Sequence, residues 1–343
     1  MNQALVLAKC ILLICVIFSS GCATYYSSNP PISESRTRYD AAPGAEPRFF
    51  KTDDQITLFG QWWFPEDRQQ AKAAIILVHG TWVHSGFYSD WAEQLTANGY
   101  AVFGIDLRGW GQSQGRGRRG FALSYDKYLD DLKLAYGEVK STYPELPIFL
   151  QGESLGGLLG LLSQIRGEMP VDGLIMNAPA VRPALTIADM ETPSWLANYS
   201  LWLASFPGEI FPNHPILVPG SVTEQFIGLA VSDEKVQNRI LNDQHVVHDA
   251  LPLGFFTGLH ETTEEVEEKL YRIKPPILVL HGINDSLIPV SSSEYLIDNV
   301  ASRDRTLRVY RQMSHATLHD FGHKTVWNDI VEWLNDRVLK RPV

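Results

Sequence analysis

At 343 residues the chain has room for one large domain with an insertion, or for two modest ones. A composition of 45% hydrophobic and 20% charged residues is that of a globular protein, which excludes disorder along the whole length. The formal net charge of −10 argues against a protein that coats nucleic acid, which needs a basic face, and no nucleic-acid partner is expected.

The first 22 residues read as an address. Lys9 precedes an apolar run over 10–18, followed by Ser19, Ser20, Gly21 and Cys22. A weakly positive start, a short apolar centre and small residues before a cleavage point describe an export signal. The run is far short of the ~20 residues a membrane-spanning helix needs. Cys22 after Ser-Ser-Gly resembles the lipobox of bacterial lipoproteins, although Ser19 stands where Leu is usual. The resemblance implies that Cys22 is diacylated and becomes the mature N-terminus; the alternative is an uncleaved anchor. Either way the body is expected to be exported and held at a membrane, on the periplasmic side. Ala23, where an inner-membrane retention Asp would stand, favours the outer membrane. All three cysteines (Cys10, Cys15, Cys22) lie here, so the rest of the chain has no disulfide and no cysteine-based metal site.

Residues 23–47 are rich in Ser, Pro and Ala without hydrophobic period and read as a tether. From residue 48 strand-like and helix-like segments alternate. Two strands are expected within 49–64. Short apolar runs follow at 73–78, 100–105, 147–150, 173–176 and 276–280, and 306–310 completes the series. Unbroken short apolar strands point to burial on both faces, as in a parallel sheet covered by helices. The segments 90–98, 125–140, 291–301 and 321–338 have helical spacing. The fold class is therefore α/β, a doubly wound and mostly parallel sheet, with sites at the strand C-terminal ends. Its core is expected in two parts, 48–180 and 264–343. Between them, residues 181–263 lose the alternation and scatter aromatics such as Trp195, Phe226 and Phe255. A span this long is not a plain loop. It reads as a helical cap whose aromatics mostly pack its own core, with a minority lining an apolar pocket.

Gly152-Glu153-Ser154-Leu155-Gly156 is a G-x-S-x-G motif between an apolar strand and a helix-like run. Such a turn exposes the serine hydroxyl beside a helix N-terminus, where free N–H groups favour developing negative charge. Ser154 is the expected nucleophile. It needs a base, and the base needs an orienting acid, in the chain order Ser, acid, His. Asp285 follows the strand at 276–280 on the same rim, whereas its rivals Asp298 and Asp304 fall in or just after a helix. His315 follows the last strand most closely; His319 and His323 are expected on the helix beyond. The i, i+4, i+8 spacing of these three histidines would suit a metal only if that helix began before His315, and Gln312-Met313-Ser314 reads as loop, so no metal is expected. His79-Gly80-Thr81 closes the strand at 73–78. The N–H groups of Thr81 and Leu155 are the expected oxyanion hole. His79 and His281, in matching positions, are expected to be structural.

On these residues the chain resembles the α/β-hydrolase superfamily, and within it the monoacylglycerol lipase and lysophospholipase branch. The likeness rests on His79-Gly80, the loop from Asp106 to Gly115, Gly152 to Gly157, His281 to Asp285, and Ser314-His315. Glu153 departs from the branch, which usually carries His there. The resemblance implies a cofactor-free esterase or lipase acting on acyl chains attached to glycerol or a glycerophosphate. With the same triad, a peptidase of the proline-iminopeptidase kind, a thioesterase or a perhydrolase stays open; so does a binding lipoprotein without catalysis. Arg116, Arg118 and Arg119 form a basic cluster able to hold a lipid phosphate, although such clusters are more often solvated loops.

Overall fold

The computed structural model describes residues 40–115, 120, 124–183, 220–246 and 251–338. The segment expected to be an export signal, with Cys22, the arginine cluster at 116–119 and the aromatics between 184 and 219 lie outside them.

Among the described residues eight strands form one sheet: β1 (Glu46–Lys51), β2 (Thr57–Trp63), β3 (Ala73–Val78), β4 (Tyr100–Ile105), β5 (Ile148–Glu153), β6 (Gly173–Asn177), β7 (Ile277–Gly282) and β8 (Arg305–Tyr310). Their order is β1-β2-β4-β3-β5-β6-β7-β8. β1 pairs antiparallel with β2, and β2 with β4; every later pairing is parallel. Strands β3 to β7 are buried throughout, as their unbroken apolar runs require. β8 differs, because among the described residues it is an edge strand with β7 as its one sheet neighbour, and its residues are half-buried or exposed.

The helices are α1 (Ser89–Ala97), α2 (Tyr125–Thr142), α3 (Leu155–Arg166), α4 (Gly220–Ala230), α5 (Glu234–Asn242), α6 (Leu253–Lys269), α7 (Val290–Asn299) and α8 (His323–Val338). Strand side chains alternate between two cores. Ala74, Ile76 and Val78 of β3 face the layer of α2, α3, α6 and α7. Ala73, Ile75 and Leu77 face the layer of α1 and α8. α4 and α5 fall inside the stretch expected to be a cap, and α6 runs from that stretch back into the core. No helix among the described residues is long and apolar enough to cross a membrane.

The chain lays down β3, then β4 on one side of it, then β5 on the other. This reversal leaves a crevice beyond the carboxyl ends of β3 and β5, the place where open α/β sheets hold their ligands.

Candidate active site

Two loops flank that crevice: residues 79–82 after β3 and the turn from β5 into α3. Ser154 sits at the apex of the turn, with φ +52° and ψ −113° as the N-cap of α3. A non-glycine residue held there costs about 1–3 kcal/mol and persists only where its surroundings impose it. They do. A Cβ on Gly156 would lie 2.2 Å from the Val78 carbonyl oxygen, and one on Gly152 would lie 2.4 Å from that of Gly156. Only hydrogen at both positions lets α3 start so close to β3. The turn is closed by Ser154 N–H donating to the Asn177 carbonyl and Ala180 N–H to that of Ser154.

Asp285 and His315 come together by another close approach. A Cβ on Gly282 would lie 2.1 Å from the Ser314 carbonyl oxygen and 2.3 Å from that of Met313. The loop after β8 can therefore lie directly on the end of β7. His315 Nδ1 is 2.7 Å from Asp285 Oδ2. The other carboxylate oxygen accepts N–H bonds from Leu287 and Ile288. Burial would raise the Asp285 pKa, but the His315 and His281 partners outweigh it and hold the carboxyl well below its usual range. For His315 burial pulls the pKa down, and the Asp285 charge and hydrogen bond outweigh that pull, so the imidazole sits above its ordinary value. With Nδ1–H donated to Asp285, Nε2 is the free acceptor. The rivals do not reach His315: Asp298 lies on α7, and Asp304 pairs with Arg337.

Ser154, His315, Thr81 and Leu155 line one cavity of about 220 Å³. Its walls are mainly apolar and include Trp82, Phe87, Phe226, Phe255 and Phe256. Leu155 is the first residue of α3, so its N–H has no intrahelical acceptor. His79 is wholly buried. Leu107 N–H donates to its Nε2, which leaves Nδ1–H for the Gly80 carbonyl at 2.7 Å. Burial lowers its pKa to about 4, so it stays neutral and braces the loop.

Four features of the site were not read from the sequence. His319 is not on the helix, which begins at His323. It lies in the preceding turn, buried against Phe87 and Tyr88, and lines the cavity. The cause is Asp320, which accepts from Ser314 N–H and Ser232 N–H and so holds the segment as a loop. His281 does more than pack, since its Nε2 is 3.1 Å from Asp285 Oδ2 and 2.8 Å from the Ile288 carbonyl. Tyr88 donates a hydrogen bond to Glu153 Oε2. Burial lifts the Glu153 carboxyl to about 7 against the opposing pull of that bond. The His79-Gly80, Asn284-Asp285 and Ser314-His315 dipeptides announce the rim residues; nothing local announces partners 65 residues apart. No group of His, Cys, Asp and Glu able to hold a metal ion occurs among the described residues.

Residues 69–321 match the family model described as Hydrolase_4, serine aminopeptidase S33. A monoacylglycerol lipase of Mycolicibacterium smegmatis is 28% identical over 273 residues, covering 79% of this chain and 90% of its own. A monoglyceride lipase of Rattus norvegicus is 27% identical over 294 residues, covering 85% and 91%. The crystal structure of a soluble variant of monoglyceride lipase from Saccharomyces cerevisiae superposes with TM-score 0.75 at 18% identity, covering 90% of this chain and 99% of its own. That last likeness bears on the fold alone.

Proposed function

The chain belongs to the Hydrolase_4 family, serine aminopeptidase S33, and is a carboxylic-ester hydrolase; we propose that it cleaves esters of lipid-like substrates, monoacylglycerol or lysophospholipid, through an acyl-enzyme on Ser154. The observation that carries this reading is a mainly apolar cavity lined by both Ser154 and a histidine whose far nitrogen is held by a buried carboxylate. Such a cavity suits an acyl chain.

The reaction runs in two halves. Ser154 Oγ attacks the ester carbonyl while His315 Nε2 takes its proton. The tetrahedral oxyanion is held by the N–H groups of Thr81 and Leu155. His315 returns the proton to the leaving alcohol as the C–O bond breaks, and the acyl-enzyme remains. Water then attacks, gives its proton to His315, and the acid leaves as the proton returns to Ser154. Asp285 keeps the imidazole in its working tautomer and stabilises its cation, in surroundings where an isolated cation would be costly. The family's description also names an aminopeptidase, which must receive a substrate ammonium. Among the described residues lining the cavity the one carboxyl is Glu153, which is tied to Tyr88 and pushed toward its neutral form by burial; this favours the ester.

A substrate series tests the reading: p-nitrophenyl esters of increasing chain length, monoacylglycerols, lysophospholipids and aminoacyl amides. The highest kcat/KM is expected on the lipid esters; a preference for the amides would sink the lipid assignment. Placement is part of the proposal, with Cys22 as the lipid anchor of an exported, membrane-held protein. Cys22→Ala should then move the protein from the membrane fraction to the soluble one.

A further inference from the structure

We propose that Glu153 and Tyr88 are positioning residues, a hydrogen-bonded strap that ties the loop of one oxyanion donor to the turn of the nucleophile. The inference rests on the reading of Ser154 as nucleophile and adds to it the means by which the two N–H donors keep their spacing.

The strap has three links. Glu153 is the last residue of β5 and the neighbour of Ser154. Its Oε2 accepts the hydroxyl proton of Tyr88. Tyr88 Oη in turn accepts the Gly80 N–H at 3.2 Å. The Gly80 carbonyl is engaged from the other side, by His79 Nδ1 at 2.7 Å. That carbonyl and the Thr81 N–H belong to one planar peptide unit and point in opposite directions. Fixing both polar groups of Gly80 therefore fixes the direction of the Thr81 N–H. The second donor, Leu155 N–H, follows Ser154 in the chain, so one line of bonds joins both halves of the hole.

Each part of the strap is immobilised. Tyr88 is fully buried, with the ring of Phe87 at 6.0 Å and that of His319 at 4.8 Å. Glu153 is 5% exposed. A Cβ built on Gly80 would find Glu153 O and Ser154 Cβ each at 3.5 Å, ordinary contact, so the two loops are already packed against one another. Glu153 Oε1 is buried and finds no hydrogen-bond partner among the described residues, an expensive state for a full carboxylate. Burial brings the carboxyl to about 7, so a large neutral fraction is present at neutral pH. A neutral carboxyl still accepts from Tyr88, and it does not repel the oxyanion forming beside it.

The test is steady-state hydrolysis of p-nitrophenyl butyrate by Tyr88→Phe, Glu153→Leu and Glu153→Gln, with rates divided by sites titrated with a fluorophosphonate. A displacement of about 1 Å near reacting atoms is worth up to ~10²-fold in rate. Tyr88→Phe and Glu153→Leu are expected to lower kcat about tenfold or more with KM within about twofold. Glu153→Gln, whose amide oxygen still accepts from Tyr88, recovers most of the loss. Affinity for a trifluoromethyl ketone, which forms the same oxyanion, falls in step with kcat. A residue that only supports the fold lowers the melting temperature but leaves the rate per titrated site alone. Tyr88→Phe at the wild-type rate per site overturns the proposal, and that variant, one oxygen smaller, decides alone if Glu153→Leu does not fold. Loss confined to KM with unchanged inhibitor affinity overturns it too. A wild type that hydrolyses no ester and takes no label sinks the nucleophile assignment and the strap with it, whereas wild-type turnover with undiminished variants sinks the strap alone.

Discussion

Adding one methyl group at Gly156 tests the nucleophile turn at its tightest point. The new Cβ would meet the Val78 carbonyl oxygen at 2.2 Å and that of His79 at 2.7 Å. Both are backbone atoms at the end of a central strand and have no rotamer in which to yield. Overpacking in a core typically costs about 1–3 kcal/mol, and a clash with backbone belongs at the upper end, about 3 kcal/mol. The chain can relieve the clash only by moving the first turn of α3 away from β3. That would carry the Leu155 N–H off the oxyanion, where losing one donor costs ~10²–10³ in kcat. Gly156→Ala should therefore lose about 3 kcal/mol in urea unfolding at constant m, or at least ~10²-fold in kcat, or part of each. Gly137→Ala is the control, because a Cβ there meets nothing within 4 Å and the position is an exposed one inside α2. It should gain about 0.5–1 kcal/mol, as alanine does over glycine in a helix. A Gly156→Ala enzyme as stable and as fast as the wild type would refute the steric account of the turn.

The remaining predictions concern charge. His315 must be neutral to act as base, and its pKa is raised, so the acid limb of kcat/KM should lie above the ordinary histidine value of about 6.5. Asp285→Asn removes the charge that holds it up and leaves the burial; it should move that limb down and lower kcat by about 10⁴ through the wrong tautomer. A limb that stays in place would detach Asp285 from His315. Glu153 has a folded pKa near 7 and an unfolded one near 4.5, so the folded state binds more protons between them and stability falls as pH rises through that window. The stability of Glu153→Gln relative to wild type, followed by urea unfolding, should climb from about pH 4.5 to 7 and level off above. A flat difference would show that burial does not perturb this carboxyl.

Much of this architecture was legible because it is written in local chemistry. Five apolar runs became the buried parallel strands β3 to β7, since two-sided burial leaves no polar face to encode. β8 carries Arg305 and Arg308, both exposed, and the rest of it is half-buried or exposed, which an edge position permits. Ser154, Asp285 and His315 were expected from their places after strands: Ser154 follows β5 directly, and Asp285 and His315 lie on the loops after β7 and β8, where the structure brings the carboxylate and imidazole together. What escaped depends on contact between distant segments. His319 carries no sign that Asp320 will be taken by Ser232 and Ser314 and keep the helix from starting. Glu153 was legible as a departure from the family and not as Tyr88's partner, because spacing along a chain does not encode a meeting between β5 and the segment before α1.

The proposed reaction requires one hydroxyl, that of Ser154, to be the atom that forms the acyl-enzyme. The measurement is mass-spectrometric mapping of a fluorophosphonate adduct on wild type, Ser154→Ala and His315→Ala. One adduct is predicted on the wild type, in the peptide containing Ser154, with none on Ser154→Ala and greatly slowed labelling of His315→Ala. An adduct of equal yield on Ser154→Ala, or one mapped to another serine in the wild type, would contradict it.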